Sequence, residues 1–396
     1  VFPSKERAGA IAAWSAVAGV GIVVGPTLGG ALLDEFSWGS VFLVNVPLVA
    51  AAVILVRASV PEMAALRAGG AGGRRSFDPI GALLSVAGLV ALVDAVIEAP
   101  VRGWLAATTL AEAAGALVVL GAFVAWELRS THPMMDVRIF AHRAFSAASA
   151  SVTLTFFTLF GSLFALTQYL QLVHGYSPLS AGLRALPFAV GMGVTSAVSS
   201  RLALRFGPRA VVPSGLVLMA FGLWRLAGVA PETAYVHVMW AVLIMGVGMG
   251  LVMAPASESI MSTLPPAQAG VGSAVNDTVR EIGGSLGVAV VGSLVSAAYR
   301  SHVVVTGLPA GAASAVRGSI AAADRVAAGA GASGPAIAAH AHQAFTSAMG
   351  TGFHVAAAVG LAGALVVAVA LPGRTRERTG TVPAEVVSPD EVPSAA

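Results

Sequence analysis

Cysteine is absent from this 396-residue sequence, which removes disulfide frameworks, thiol chemistry and cysteine metal sites. Charge is nearly as scarce. Asp, Glu, Lys and Arg make up 10% of the chain, and Lys5 is the only lysine. A net charge of +3, dispersed through connectors, leaves no footprint for nucleic acid. None of the eight histidines has a metal-ligand partner three or four residues away, and His340 and His342, two apart, are a weak signal. There is no phosphate loop, no Gly-x-Ser-x-Gly elbow and no His-Glu-x-x-His. No enzyme, cofactor or metal is therefore expected, and energy would have to come from an ion gradient. No signal-peptide pattern precedes the first apolar run. The chain opens on Val1 with a polar stretch to Arg7, so the expectation is the later part of a longer protein.

What is present is apolar: 57% hydrophobic residues and a mean hydropathy of +0.84, beyond any ordinary water-soluble chain. The reading is an all-α integral membrane protein, because in lipid a spanning segment has to pair its own backbone groups. Ten runs can span, near 8–33, 41–58, 79–99, 106–127, 145–173, 183–204, 210–230, 236–262, 271–297 and 348–371. If Val1 is cytoplasmic, cytoplasmic connectors hold fifteen of the 22 basic residues and outer connectors five, as the positive-inside rule requires. Both ends then face the cytoplasm. Arg-rich, Lys-poor composition with abundant Ala, Gly and Val suggests a bacterial cell membrane. The Gly-rich stretch 63–78 reads as a cytoplasmic linker, 301–340 as a long outer loop that is mostly mobile with room for a short surface helix, and 379–396 as a disordered tail.

In the first run, Gly21, Gly25 and Gly29 fall on one helix face and leave it bare, so another backbone can approach. Pro26 removes an N–H and bends the helix, which together suggest a moving joint. Acidic residues inside spans each need an explanation. Asp94 and Glu98 share a face near the outer end of the third run; Glu98 reads as solvated, whereas Asp94 is open to a proton-carrier role. The ninth run holds Asn276, Asp277, Arg280 and Glu281, readable either as a structural ion pair or as a gate that couples charge to conformation. Glu258 reads as a solvated helix end or a contact along the substrate path. Gln168, Tyr169 and Gln171 read as an interfacial anchor or as substrate contacts. Phe156, Phe157, Phe160 and Phe164 follow helical spacing and are expected to pack or face lipid rather than line a drug pocket.

Several of these stretches resemble a known family. Gly21-x-x-x-Gly25-Pro26-x-x-Gly29-Gly30 is similar to the antiporter motif of the major facilitator superfamily. Trp38, Phe42 and Asn45-Val46-Pro47 resemble the stretch after that motif in the drug:proton antiporters with fourteen spans. Asp78-Pro79-x-Gly81 with Gly103-Trp104, and Glu127-x-Arg129 with Pro133 and Phe140, resemble that family's two extra central helices. Tyr169-Leu170-Gln171 with Gly175-Tyr176-Ser177-Pro178 is similar to its first outer loop in the C-terminal half. Arg201-x-x-x-Arg205-x-Gly207-x-Arg209 resembles its cytoplasmic loop motif, and Gly272-Ser273-x-x-Asn276-x-x-x-Arg280 with Gly283-Gly284 its penultimate helix. Ala12 and Glu281 depart from the pattern, and Glu281 adds a titratable group.

The resemblance implies that the ten runs correspond to the fifth to fourteenth of fourteen spans. Residues 1–62 would be the remainder of an N-terminal bundle, 79–143 the two extra spans, and 144–378 a six-span C-terminal bundle. The implied activity is proton-coupled efflux of amphipathic small molecules by alternating access, with the lipid bilayer, substrate and protons as partners and no obligatory protein partner. An uptake carrier or uniporter of the same fold, or a non-transporting membrane fragment, are the alternatives.

Overall fold

The structure, a computed structural model, describes residues 25, 27–59, 78–131, 133, 137–264 and 269–371. Most of the first expected run, with Gly21 and Pro26, lies outside the described residues, as do most of the Gly-rich linker and the whole tail. Among the described residues all regular structure is helical. Helix α1 covers 27–35; α2 (Ser40–Leu43) and α3 (Asn45–Ser59) come next, broken at Val44 just before Pro47. Then come α4 (Pro79–Arg102), α5 (Ala107–Arg129) and α6 (Arg143–Gln168), the last of which continues into a π turn at Tyr169–Val173. Short α7 (Pro178–Leu183) leads to α8 (Leu186–Phe206), α9 (Pro208–Ala227), α10 (Tyr235–Ser262) and α11 (Ala269–His302). Helices α12 (Ala310–Gly318) and α13 (Ile320–Gly329) precede the last and longest, α14 (Gly334–Ala370).

Among the described residues eight helices are long and apolar enough to cross a membrane, and they coincide with the third to tenth expected runs. The second expected run is a shorter apolar helix, Ser40–Leu55. For description, the lower end of the spans carries Asp78, Gly207 and Leu371, and the upper end carries Gly103, His174 and residues 303–333.

Local chemistry fixes the helix ends. Asp78 caps α4 by accepting from the Gly81 N–H at 2.8 Å, with Pro79 pre-set in the first turn. Gly207, at φ 86°, ends α8 and Pro208 begins α9 at once, so the lower turn needs a residue without Cβ. Helices α6, α8, α9, α10, α11 and α14 form a six-helix bundle, while α4 and α5 pair with each other and touch it through α11. The bundle core has an upper part around Tyr169, Leu223, Met349 and Phe353 and a lower part around Phe145, Leu216, Ile260 and Val367. Glycines set its close crossings: a Cβ at Gly283 or Gly287 would strike the Thr153 or Phe157 carbonyl of α6, and one at Gly246 the Phe188 carbonyl of α8.

One expectation is corrected. Residues 301–334 are largely helical: α13 folds back on α14 and α12 packs on α13, burying Val316, Ile320, Ala323 and Ala327. Both helices are amphipathic, and their polar groups are tied down. The Tyr299 hydroxyl donates to the Val316 carbonyl at 3.0 Å, and His342 Nε2 lies 2.9 Å from Asp324 Oδ1. Alanine-rich sequence hid these helices because Ala supports helix without adding hydropathy contrast.

Candidate functional site

Helices α6 and α11 meet along their glycines and diverge on one side, leaving a cavity of about 820 Å3. One wall is a stripe of Phe156, Phe160 and Phe164 from α6. The opposite wall is one face of α11, read upward as Asp277, Arg280, Glu281, Gly284, Ser285, Ser293 and Ser296. Ile97 of α4 closes the side near the upper end. Charge is thus confined to the lower third, and the remainder is aromatic and weakly polar.

The charged end is organised around Arg280. Its Nη1 lies 3.5 Å from Asp277 Oδ1, and the guanidinium stands 5.6 Å from the centre of the Phe156 ring. Phe156 in turn stacks on Phe160 at 5.9 Å and 21°. Arg280 Nε is buried and has no hydrogen-bond partner among the described residues. Asp277 and Glu281 are exposed toward the cavity mouth. Two carboxylates and one guanidinium on one helix face can exchange partners by rotamer changes, and an aromatic wall accepts flat apolar surfaces.

The other sequence candidates sit elsewhere. Asn276 is buried and accepts from the Ser257 hydroxyl at 3.4 Å, tying α11 to α10, while neighbouring Glu258 is exposed. Tyr169 is fully buried and its hydroxyl donates to the Ala230 carbonyl at 2.9 Å; Gln168 donates to the Phe164 carbonyl at 3.5 Å, and Gln171 is half-buried on the π turn. None of these lines the cavity. Asp94 is exposed on α4, one turn below Ile97, and Glu98 lies 3.5 Å from Arg102.

In the lower loop Arg209 Nε donates to the Ala368 carbonyl at 2.7 Å, where the C-terminal end of α14 favours a cation. Arg205 packs over Phe206 at 5.4 Å, and Arg201 is exposed. Of the described antiporter-motif glycines, Gly25 and Gly29 meet nothing within 4 Å of an ideal Cβ among the described residues. Gly30 does: its Cβ would come 2.6 Å from the Pro178 carbonyl and 2.7 Å from Leu179 backbone. The motif helix therefore abuts the upper hairpin of the bundle at Gly30.

That hairpin is braced by rings. Arg184 stands 3.6 Å from the Tyr176 ring centre and 5.3 Å from that of Tyr235, whose hydroxyl donates to the Arg184 carbonyl at 2.9 Å. His174 stacks on Tyr176 at 5.3 Å and meets the edge of Tyr169 at 4.8 Å. Burial, and then the Arg184 charge, hold His174 below the usual imidazole range.

Sequence reasoning ranked the phenylalanine stripe as packing or lipid-facing ahead of a drug pocket, and missed Ile97 and the serines. A signal did exist on α11: Asp277, Arg280/Glu281, Gly284/Ser285, Ser293 and Ser296 recur on one face of an otherwise apolar helix. The phenylalanines carried none, because an aromatic stripe facing a cavity and one facing lipid have the same spacing.

Comparison with known proteins bears on the family and the fold. The model of the Major Facilitator Superfamily matches residues 1–288. The chain is 36% identical to the multidrug resistance protein Stp of Mycobacterium tuberculosis over 297 residues, covering 75% of this chain and 54% of that protein. It is 34% identical to the tetracenomycin C resistance and export protein of Streptomyces glaucescens, covering 74% and 54%. With the multidrug efflux pump LfrA of Mycolicibacterium smegmatis it shares 35% identity, covering 78% and 59%. The chain spans about half the length of these relatives. Among solved structures, a bacterial homologue of the human lysosomal transporter Spinster, crystallised inward-facing and unoccupied, superposes with a TM-score of 0.52 at 18% identity, covering 94% of this chain and 74% of that one. That likeness concerns the fold alone.

Proposed function

Because this chain belongs to the Major Facilitator Superfamily, a family of membrane transporters, we propose that it acts in proton-coupled efflux of amphipathic small molecules by alternating access. The observation that carries this reading is the cavity between α6 and α11, with a flat aromatic wall above a titratable cluster. An apolar drug would lie on Phe156, Phe160 and Phe164. Protons would be exchanged at Asp277 and Glu281, with Arg280 neutralising whichever carboxylate is ionised. No cofactor is required, since the proton gradient supplies the energy.

Three relatives named for drug resistance or export support the outward direction. The orientation with the Arg-rich lower end cytoplasmic rests on the fifteen-to-five distribution of basic residues between connectors. In this reading α4 and α5 are the two extra helices of a fourteen-span antiporter, and Ile97 brings them into the site. The contact of Gly30 with Pro178 and Leu179 would hold the outer side closed.

The test is acidified, everted vesicles carrying the chain, with tetracenomycin C as the first probe. A probe-dependent loss of the pH gradient is expected, and Asp277→Asn with Glu281→Gln should abolish it while probe binding persists. If the probe moves without any change in the gradient, proton coupling is wrong; movement in the opposite direction would make the chain an uptake carrier.

A further inference from the structure

A second cavity, of about 560 Å3, shares no residue with the first. It lies between the upper ends of α9 and α10 and the side of α14. Trp224 and Arg225 come from the last turn of α9, Glu232 from the turn after it, His237 from the first turn of α10 and His354 from α14.

Its depth is set by a backbone contact. An ideal Cβ at Gly350 would stand 2.6 Å from the Ala227 carbonyl, so Gly350 is level with the end of α9 and His354 one turn further in. The spans Pro208–Ala227 and Tyr235–Ser262 end and begin at this height. The cavity therefore sits where hydrocarbon gives way to headgroups. Phe221 and Trp224, stacked at 5.9 Å and largely exposed, mark this side of the bundle as lipid-facing.

Arg225, Glu232, His237 and His354 are exposed, and no side chain among the described residues hydrogen-bonds or ion-pairs with them. A guanidinium at the edge of hydrocarbon without a counter-charge is costly, and its planar fork matches two phosphate oxygens. Glu232 lines the same cavity, yet it forms no ion pair with Arg225. Two opposite charges held apart at a membrane boundary complement a ligand that carries the same two charges in the reverse order.

We infer that this cavity seats a phospholipid headgroup bearing both a phosphate and a primary ammonium. The phosphate takes Arg225 and the imidazoles of His237 and His354, and the ammonium donates to the Glu232 carboxylate. Acyl chains run down past Trp224 and Phe221. The site is independent of the efflux cavity and of the reading given to it.

The test is native mass spectrometry of the full chain in detergent with phosphatidylethanolamine, phosphatidylglycerol and phosphatidylcholine of identical acyl chains. Phosphatidylethanolamine should be retained most. Arg225→Gln should weaken its retention about tenfold, the loss of one charge-assisted hydrogen bond, while Arg225→Lys retains most of it. Glu232→Gln should remove the preference over phosphatidylglycerol. Equal retention of the three lipids by the unmodified chain, or no change on Arg225→Gln, would overturn the assignment, and a preference for phosphatidylglycerol would overturn the ammonium half of it. Should Arg225→Gln fail to fold, the Trp224-dependent part of tryptophan quenching decides: brominated phosphatidylethanolamine is expected to quench it more than brominated phosphatidylglycerol at equal mole fraction, and equal quenching by the two overturns the assignment.

Discussion

The α4–α5 pair and the six-helix bundle are made of similar helices held together by different means. Mean hydropathy is 2.4 and 1.8 over the two spans of the pair and runs from 1.3 to 2.2 in the bundle, so composition does not separate them. Burial does. Only 17% of each span of the pair is buried, against 61% for α9 and 56% for α10. In lipid, apolar side chains gain little by turning inward, so helices associate through shape and polar contacts. The bundle uses shape, with glycines laid against carbonyls at Gly283, Gly287, Gly215 and Gly250. The pair adds polar contacts at its two ends to a close approach between those ends, where a Cβ at Gly88 would stand 2.7 Å from the Leu120 side chain. Below, the Trp126 indole donates to Asp78 Oδ2 at 2.9 Å; above, Arg102 lies 2.7 Å from Glu112 and 3.5 Å from Glu98.

The largest expected effect breaks the bundle where shape alone holds it. Gly287→Leu drives four side-chain carbons into the Phe157 carbonyl and should cost about 3 kcal/mol or prevent folding. Gly115→Leu in α5 is the control. Nothing lies within 4 Å of its Cβ, and a change within about 0.5 kcal/mol is expected. Thermal unfolding of both variants in one detergent reads the contrast, and equal losses would show that the pair is as closely packed as the bundle.

That contrast also explains what could be read from sequence. Eight spans and their order were legible because run length and Arg-bearing connectors report directly on the bilayer. The ion pair of Asp277 with Arg280 was legible because a spacing of three on a helix brings side chains together. Gly21 lies outside the described residues, and of the described motif glycines only Gly30 makes a close approach, since glycine spacing marks a bare face and not which position on it finds a partner. Tyr169 read as an anchor or a substrate contact, and burial with a satisfied hydroxyl is a third outcome that spacing cannot express.

A middle-sized effect is expected at the lower end of the pair. The Gly81 N–H first, and the Trp126 indole with it, hold the Asp78 carboxyl below the usual carboxylate range. A depressed folded-state value stabilises above the unfolded pKa of about 3.9 and is lost as pH falls through the folded value. Trp126→Phe removes one donor, so the first turn of α4 should exchange its amides about tenfold faster at neutral pH, and its protection should fade at a higher pH than in the unmodified chain. Unchanged exchange in that turn would mean the cap alone holds it.

The smallest effect belongs to the upper end. Side chains of Arg102 and Glu112 are 41% and 26% exposed, so their contact is largely screened despite its 2.7 Å length. Arg102→Gln should cost less than about 1 kcal/mol, and high salt should erase the difference from the unmodified chain. The comparison is sharpest here, because the two ends of one helix pair would then differ in kind. The part-buried indole–carboxylate contact should be less sensitive to ionic strength than the interfacial ion pair. If Arg102→Gln instead matched Trp126→Phe and resisted salt, the upper end would be shielded from water, and α4 would be clamped at both ends, unable to pivot about its lower one as α11 moves.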